Sequence, residues 1–237
     1  MTKPLVSGAP YAGRVGVRTS VNPWVQRSVA TLDRFNARHP WSHNDHFHPW
    51  IRRNLPAQRR LAVDVGCGRG LLVSRLASGF EQVIGIDSDA AMRAAAADLT
   101  ATLTNVTITD APLPALPRPA DLVTMVAVLH HLPLEDALAH VRDALAPGGR
   151  FLAVGLAPPV SARDHAWDVA SALTNPVIGL LKHPRTAGPR RPDDYPTTEP
   201  AVPFDELAAA LATIMPAARI RHRLAFRHTI TWAKPPR

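Results

Sequence analysis

A short apolar run that ends in three closely spaced glycines constrains this chain more than any other feature. Leu61 to Val65 reads LAVDV, and Gly66, Cys67, Gly68, Arg69 and Gly70 follow directly. A run this short, bounded by glycines, reads as a buried strand. Glycines at that spacing let the backbone turn tightly and let a ligand approach the main chain. RGLLVSRLAS then has helical spacing, so the turn joins a strand to a helix. QVIGID follows as a second strand and ends in Asp87, 21 residues after Gly66. In a strand–turn–helix–strand unit an acid at that point reaches a ribose hydroxyl pair. The two features together point to an adenosine-containing cofactor at the C-terminal edge of the strands.

The rest of the chain keeps the same rhythm. SDAAMRAAAADLTATL is a helix of strong intrinsic propensity, with Ser88 or Asp89 as its cap. VTIT is a third strand, and DLVTMVAVLHHL a fourth that runs into a turn. LEDALAHVRDALA is a helix stopped by Pro147, Gly148 and Gly149, and RFLAVG, from Arg150 to Gly155, is a fifth strand. Alternating strands and helices with short links predict an α/β fold with a doubly wound, Rossmann-like parallel sheet. Residues 157–203 break the rhythm with many prolines and helical fragments, and read as an insertion on the substrate side. FDELAAALATIM returns to a helix, and ARIRHRLAFRHTITWAK alternates as a closing antiparallel pair.

The chain has 237 residues and a net charge of +8, and the distribution of that charge matters more than its total. Residues 1–60 hold ten Lys and Arg against two acids, Asp33 and Asp45, so the excess belongs to the N-terminal segment. Residues 1–23 read as a loosely ordered arm, 24–38 as an amphipathic helix, and 46–54 as a short helix. The organisation expected is a basic arm and helical lid over 1–56, then one catalytic domain over 57–237. No run is apolar enough for a membrane span, and the first twenty residues lack the apolar stretch of a secretory signal. A single cysteine, Cys67, forms no intrachain disulfide, and a reducing cytoplasm is the expected location.

Two cofactors compete for the glycine turn, NAD(P) and S-adenosylmethionine. The nicotinamide fingerprint places its third glycine one residue later, where this chain has Leu71. Asp64, at the strand end, would also sit close to a doubly anionic pyrophosphate. S-adenosylmethionine has no phosphate and carries an ammonium and a sulfonium, which a nearby carboxylate favours. The charge argument favours S-adenosylmethionine over NAD(P).

With these residues in hand, the sequence resembles the class I S-adenosylmethionine-dependent methyltransferases. VDVGCGRG is similar to their first motif, GID with Asp87 to the second, and TDAPLPAL to the third-strand acid motif. DLVTMVAVLHHL and LAPGGRFLAVG resemble the fourth-strand and post-helix motifs. The resemblance spans about residues 60–156. It implies a seven-stranded sheet whose last strand is antiparallel. It also implies that Gly66, Gly68 and Gly70 line the methionine part and that Asp87 binds ribose, with Asp64 kept as a cofactor-binding candidate by the charge argument. Ser88 and Met92 would lie near ribose and adenine, Asp110 and Ala111 would flank adenine, and Val126 to Leu129 would border the cofactor. The acids have plainer alternatives: Asp64 as a simple cap on backbone amides, Asp87 as an N-cap for the next helix, and Asp110 as a turn acid. Cys67 reads as a small packing residue.

Methyl transfer from a sulfonium is a direct displacement, and a general base is needed only if the nucleophile must lose a proton. Histidines are the candidates. His130 and His131 follow the fourth strand, and His43, His46 and His48 cluster with Asp45. The expectation is a lid over 40–50, with His46 or His130 as the catalytic base, and no metal requirement. Trp24, Trp41, Phe47, Trp50 and Trp167 could wall a pocket for a planar acceptor or simply pack the lid. A small-molecule acceptor of bacterial specialised metabolism leads. The alternatives are an RNA methyltransferase, suggested by the basic arm, and a non-catalytic S-adenosylmethionine-binding module. Oligomeric state is not legible.

Overall fold

The computed structural model describes residues 42–182 and 200–236. The predicted helix over 24–38, Trp24, Trp41 and most of the proline-rich run after residue 182 lie outside the described residues. The chain enters through a 3-10 turn at Asp45–Phe47 and helix α1 (His48–Arg53), inside the helix expected over 46–54. It then alternates β1 (Leu61–Val65), α2 (Leu71–Ala77), β2 (Gln82–Ile86), α3 (Ala90–Thr100), β3 (Val106–Thr109) and β4 (Ala120–Val126). There follow α4 (Leu134–Ala144), β5 (Leu145–Gly155), α5 (Ala162–Lys182), α6 (Phe204–Ile214), β6 (Arg219–Arg223) and β7 (Arg227–Ala233).

The seven strands form one sheet in the order β3-β2-β1-β4-β5-β7-β6. β1 to β5 pair in parallel, and β7 lies antiparallel between β5 and β6. The order reverses direction between β1 and β4, and in open α/β sheets ligands bind at the carboxyl ends of the strands at such a point. Alternation along the strands builds two cores. Val63 and Val123 face Leu138 and Val141 of α4 and Leu207 and Leu211 of α6. Their neighbours Ala62 and Leu122 face the other way, toward Ile51 of α1, Leu76 of α2 and Ala96 of α3. These strands are covered on both faces, so they read as continuous apolar runs. Each fully buried Val or Leu contributes roughly 1.5–3 kcal/mol.

At the far edge of the sheet, Asp121 ties β1 to β4. Its carboxylate accepts from the Arg60 and Leu61 backbone N–H groups at 2.7 and 3.3 Å and from the Arg60 guanidinium at 2.8 and 3.2 Å. Burial alone would raise its pKa, but the bonds from Arg60 and Leu61 hold it below the ordinary carboxylate value.

Two elements differ from expectation. β5 starts at Leu145 and runs through Pro147, Gly148 and Gly149, where a turn before Arg150 was expected. Ala120 pairs with Leu145 and Leu122 with Arg150, so this irregular stretch bulges out of register. The helical fragments expected after residue 157 are one 21-residue helix, α5, despite an internal Pro176. Its polarity is inverted: Asp164, Ser171 and Asn175 are buried, while Val169, Leu173, Val177 and Leu181 are exposed. Among the described residues, no helix is long and apolar enough to cross a membrane.

Candidate functional site

The glycine turn is built by the ends of β1 and β2. The N–H groups of Gly66 and Cys67 both donate to the Ile86 carbonyl, at 2.7 and 2.9 Å. Gly66, Gly68 and Gly70 have φ of 68°, 53° and 78°, a left-handed backbone that side chains disfavour. The space a Cβ would fill at Gly66 is taken by the Val128 side chain, and at Gly70 it lies 2.9 Å from Ala96 Cβ. The turn therefore packs tightly against the end of β4 and against α3.

Asp87 is fastened to this turn. Gly68 N–H donates to its Oδ2 at 2.8 Å, and Asp89 N–H to its Oδ1 at 2.9 Å. Each oxygen retains a lone pair, so the carboxylate can still accept from a diol. Asp87 is thus not the helix cap. Asp89 is, with Oδ1 accepting from Ala91 N–H and Met92 N–H at 2.8 and 3.0 Å. Met92 is buried beneath this corner and Ser88 is exposed on it. Arg93, which sequence reasoning missed, ties the corner together. Its guanidinium donates to the Asp87 and Ser88 carbonyls at 3.0 and 2.9 Å and pairs with Asp110 at 3.5 Å. Its only sequence signal was its place four residues after the capping Asp89. The Asp110 carboxylate is largely exposed, and the neighbouring Ala111 is half-buried.

Asp64 lies beneath the turn, 2% exposed. Thr124 Oγ1 of β4 donates to it at 2.6 Å. Burial pushes its pKa up to about 7, against the Thr124 bond and with a contribution from Asp87. Cys67 is buried beside it, and burial together with the charges of Asp64 and Asp87 pushes its thiol pKa far up. That fits a packing residue rather than a nucleophile. The end of β4 carries backbone strain: Ala127 has φ 58°, with its N–H held by Val154 O at 2.7 Å. Val126 is half-buried there, whereas Leu129 is buried in the core on the α4 face.

The sequence-predicted histidines separate. His43 Nε2 meets Asn175 Oδ1 on α5 at 2.8 Å. His48 is buried between Arg75, at 2.6 Å, and Asp45, at 3.7 Å, and burial lowers its pKa to about 4. His46 lies half-buried near Lys182, at the end of α5; burial and that lysine lower its pKa. Among the described residues, no three His, Cys, Asp or Glu side chains converge as metal ligands. His130 sits in a 3-10 turn after β4, its ring tilted by 38° against that of His131 with centroids 4.0 Å apart. Burial, then His131 and Arg227, lowers its pKa to about 4, and its Nδ1 has no hydrogen-bond partner. Asn44 Oδ1 accepts from the Arg227 guanidinium at 3.1 and 3.3 Å. The aromatic residues also disperse. Phe47 is buried, Trp50 packs against the α2 face, and Trp167 stacks on His222.

A cleft opens at the same strand edge, between α5, residues 157–159 and the β6–β7 hairpin. The inward polar face of α5 builds its wall. Asp164 Oδ1 bonds His222 Nε2 at 2.8 Å, and Ser171 Oγ accepts from Phe226 N–H at 3.2 Å. His222 is stacked on Phe204 at 3.7 Å, and His228 meets that ring edge-on at 6.0 Å. Sequence reasoning did not single out His222, His228 or Arg227. They fall in an alternating strand pair, where nothing local marks them.

A strand-ended acid bonded to a glycine turn, at the point where strand order reverses, fits an adenosyl cofactor. Comparison with known proteins agrees. A methyltransferase domain family model matches residues 62–149. An uncharacterised methyltransferase of Mycobacterium tuberculosis is 31% identical over 205 residues, covering 83% of this chain and 98% of that protein. A trans-aconitate 2-methyltransferase of Methylobacterium radiotolerans is 33% identical over 158 residues, 65% of this chain and 58% of that protein. The fold is also that of an S-adenosylmethionine-dependent methyltransferase from Aquifex aeolicus, with TM-score 0.52 and 14% identity over 87% of this chain and 96% of that one. The sheet, the glycine turn and the match along nearly the whole length of a relative make one conclusion: this chain belongs to the class I S-adenosylmethionine-dependent methyltransferases and uses S-adenosylmethionine.

Proposed function

We propose that this enzyme methylates a small-molecule acceptor of specialised metabolism, bound at the carboxyl edge of the sheet. The observation that carries this reading is the cleft between α5 and the β6–β7 hairpin. It opens on the same edge as the glycine turn, and its walls are stacked rings and buried side chains. The cleft is narrow, about 50 Å³, which excludes a folded polymer and admits only the reacting end of a small acceptor. The relative named for trans-aconitate supports a small acceptor as well.

In this reading Gly66, Gly68 and Gly70 approach the methionine part, with Asp64 below them as the counter-charge to its ammonium. Asp87 takes the ribose hydroxyls. Ser88, Met92, Asp110 and Ala111 surround the adenine side, and Val126 borders the site from the end of β4, whereas Leu129 packs behind it in the core. Bound S-adenosylmethionine supplies an activated methyl group: the carbon–sulfur bond breaks with its electron pair going to sulfur, and the acceptor's lone pair makes the new bond. The protein's own part is alignment and exclusion of water. His46 and His130 are the acceptor-side catalytic groups. The lowered pKa of each keeps it neutral at pH 7, the form that can accept a proton or a hydrogen bond.

The test is calorimetric titration with S-adenosylmethionine, S-adenosylhomocysteine and NAD, followed by single-turnover transfer of labelled methyl to small-molecule and RNA fractions of a bacterial extract. Binding of the adenosyl pair, weakened at least tenfold in Asp87→Ala, and label in the small-molecule fraction are expected. Label confined to RNA would replace the acceptor reading. No transfer to either fraction, with intact cofactor binding, would favour a non-catalytic binding module.

A further inference from the structure

Part of the basic excess of the first sixty residues converges on one place in the fold. Arg52 and Arg53 end α1, Arg59 precedes β1, and Arg75 lies in the last turn of α2. All four line one hollow of about 470 Å³, with Leu55 and Ser78 between them. Among the described residues, neither an acid nor an aromatic ring lines it, and none of the four arginines forms an ion pair. The glycine turn caps the other end of α2, so the hollow stands one helix length from it, roughly 10 Å. The cleft beside α5 shares none of its residues.

Basic side chains at a helix C-terminus have an ordinary use, which is to face the last carbonyls. Here α1 and α2 both end at the hollow, and each returns at most about half a negative charge. Four guanidiniums exceed that several-fold. Two of them are also held in place. Arg75 Nη1 lies 2.6 Å from Nδ1 of the buried His48. A guanidinium has no lone pair, so Arg75 donates and the imidazole accepts. Arg59 Nε donates to the Pro56 carbonyl at 3.2 Å, and its Nη1 reaches across to within 4.0 Å of the Cβ position at Gly79, just past α2. Each bond uses one of five N–H donors and leaves the others free. Arg52 and Arg53 make no side-chain bond within the described residues, so their whole forks are available. Guanidinium forks match phosphate oxygens two at a time.

We infer that this hollow is a second binding site, separate from the cofactor turn and the cleft, and that its ligand is a small molecule carrying two or more linked phosphates. Charge sets the number of phosphates. One phosphate brings about 1.5–2 negative charges at pH 7, so two or three are needed to meet four guanidiniums. Volume sets the size, since a hollow of this order takes a small ligand. The lining argues against a nucleic acid. Single strands are held by a basic track together with aromatic rings on which bases stack, and no ring lines this wall. The site draws on three separate pieces of chain, so an occupied hollow ties α1 to α2. The inference does not depend on which acceptor the enzyme methylates.

The experiment is titration calorimetry on the full chain in 0.15 M salt without divalent metal. The probes are orthophosphate, pyrophosphate, tripolyphosphate, citrate and a ten-residue oligouridylate. One tripolyphosphate per chain is expected, at least tenfold tighter than orthophosphate and tighter than citrate. The double variant Arg52→Gln, Arg53→Gln is expected to weaken it at least tenfold while S-adenosylhomocysteine affinity stays within twofold. Both side chains are exposed and unbonded, so the fold is not at stake; Arg59→Gln, made separately, should weaken it as well. The pair Arg52→Lys, Arg53→Lys keeps the charge without the forks and should restore only part of the loss. Arg142→Gln, at an exposed arginine paired with Asp143 elsewhere, should change nothing. Three results would each overturn the inference: no oligophosphate binding, binding indifferent to the arginine variants, or an equal loss in Arg142→Gln. Oligouridylate binding more tightly than tripolyphosphate through the same arginines would also overturn it, in favour of a nucleic-acid surface.

Discussion

At the residue scale, Asp64 sets a pH dependence. Its carboxyl has a pKa of about 7 in the folded protein and near 3.9 in an unfolded chain. A raised carboxyl pKa means the folded state holds the proton longer, so stability falls as pH rises from about 4 to 7 and levels off above. Cofactor binding has the opposite sign. A cationic ammonium favours the ionised carboxylate, so affinity should climb as pH rises through 7 and binding below 7 should release a proton. Titration calorimetry in buffers of different ionisation enthalpy measures that proton. Asp64→Asn should abolish the pH dependence and weaken S-adenosylmethionine about tenfold. The sequence placed Asp64 at the site because its position relative to the glycines is local. It did not reveal Thr124 as its partner, because that contact crosses from β1 to the neighbouring strand and spans sixty positions of chain. His228 was hidden for the same reason: its place at the cleft comes from pairing with Gly155 of β5, not from its own neighbours in sequence.

Among the elements, α3 carries a self-contained prediction. Asp89 closes its first turn by accepting from two backbone N–H groups, and the helix backs onto the glycine turn through Ala96. Asp89→Ala should cost about 1 kcal/mol. For a chain of this size the melting temperature should fall by roughly 2–4 °C, read by calorimetry. Element identity was legible where period and cap agreed, as in β1, β2 and α3. It failed for α5 because that helix turns its polar residues inward. Asp164, Ser171 and Asn175 are spent on bonds to His222, Phe226 and His43, so a search for an apolar inward stripe finds the outer face instead. β5 was missed over Leu145 to Gly149 because a bulge lets Pro147 and two glycines stay within a strand.

For the molecule as a whole, the two long edges of the sheet do different work. The carboxyl edge gathers the glycine turn, Asp87, the histidines and the cleft, while the opposite edge is pinned by Asp121. Asp121→Asn removes the charge from a side chain that holds two backbone N–H groups and one guanidinium. About 1–3 kcal/mol of stability should go, visible in urea unfolding, with the affinity for S-adenosylhomocysteine unchanged. A doubly wound seven-stranded sheet with an antiparallel last strand was legible from the alternation of elements and the family resemblance, whereas the order of its strands was read only from the structure. The same order governs how the chain can be made. β7 sits between β5 and β6 yet is synthesised after both. On the ribosome, β5 and β6 therefore wait with bare edges until their shared neighbour emerges, and the cleft at their tips comes into being with the final strand. Synthesis that stops before Arg227 leaves two sticky strand edges and no cleft, so an interrupted chain is prone to aggregation.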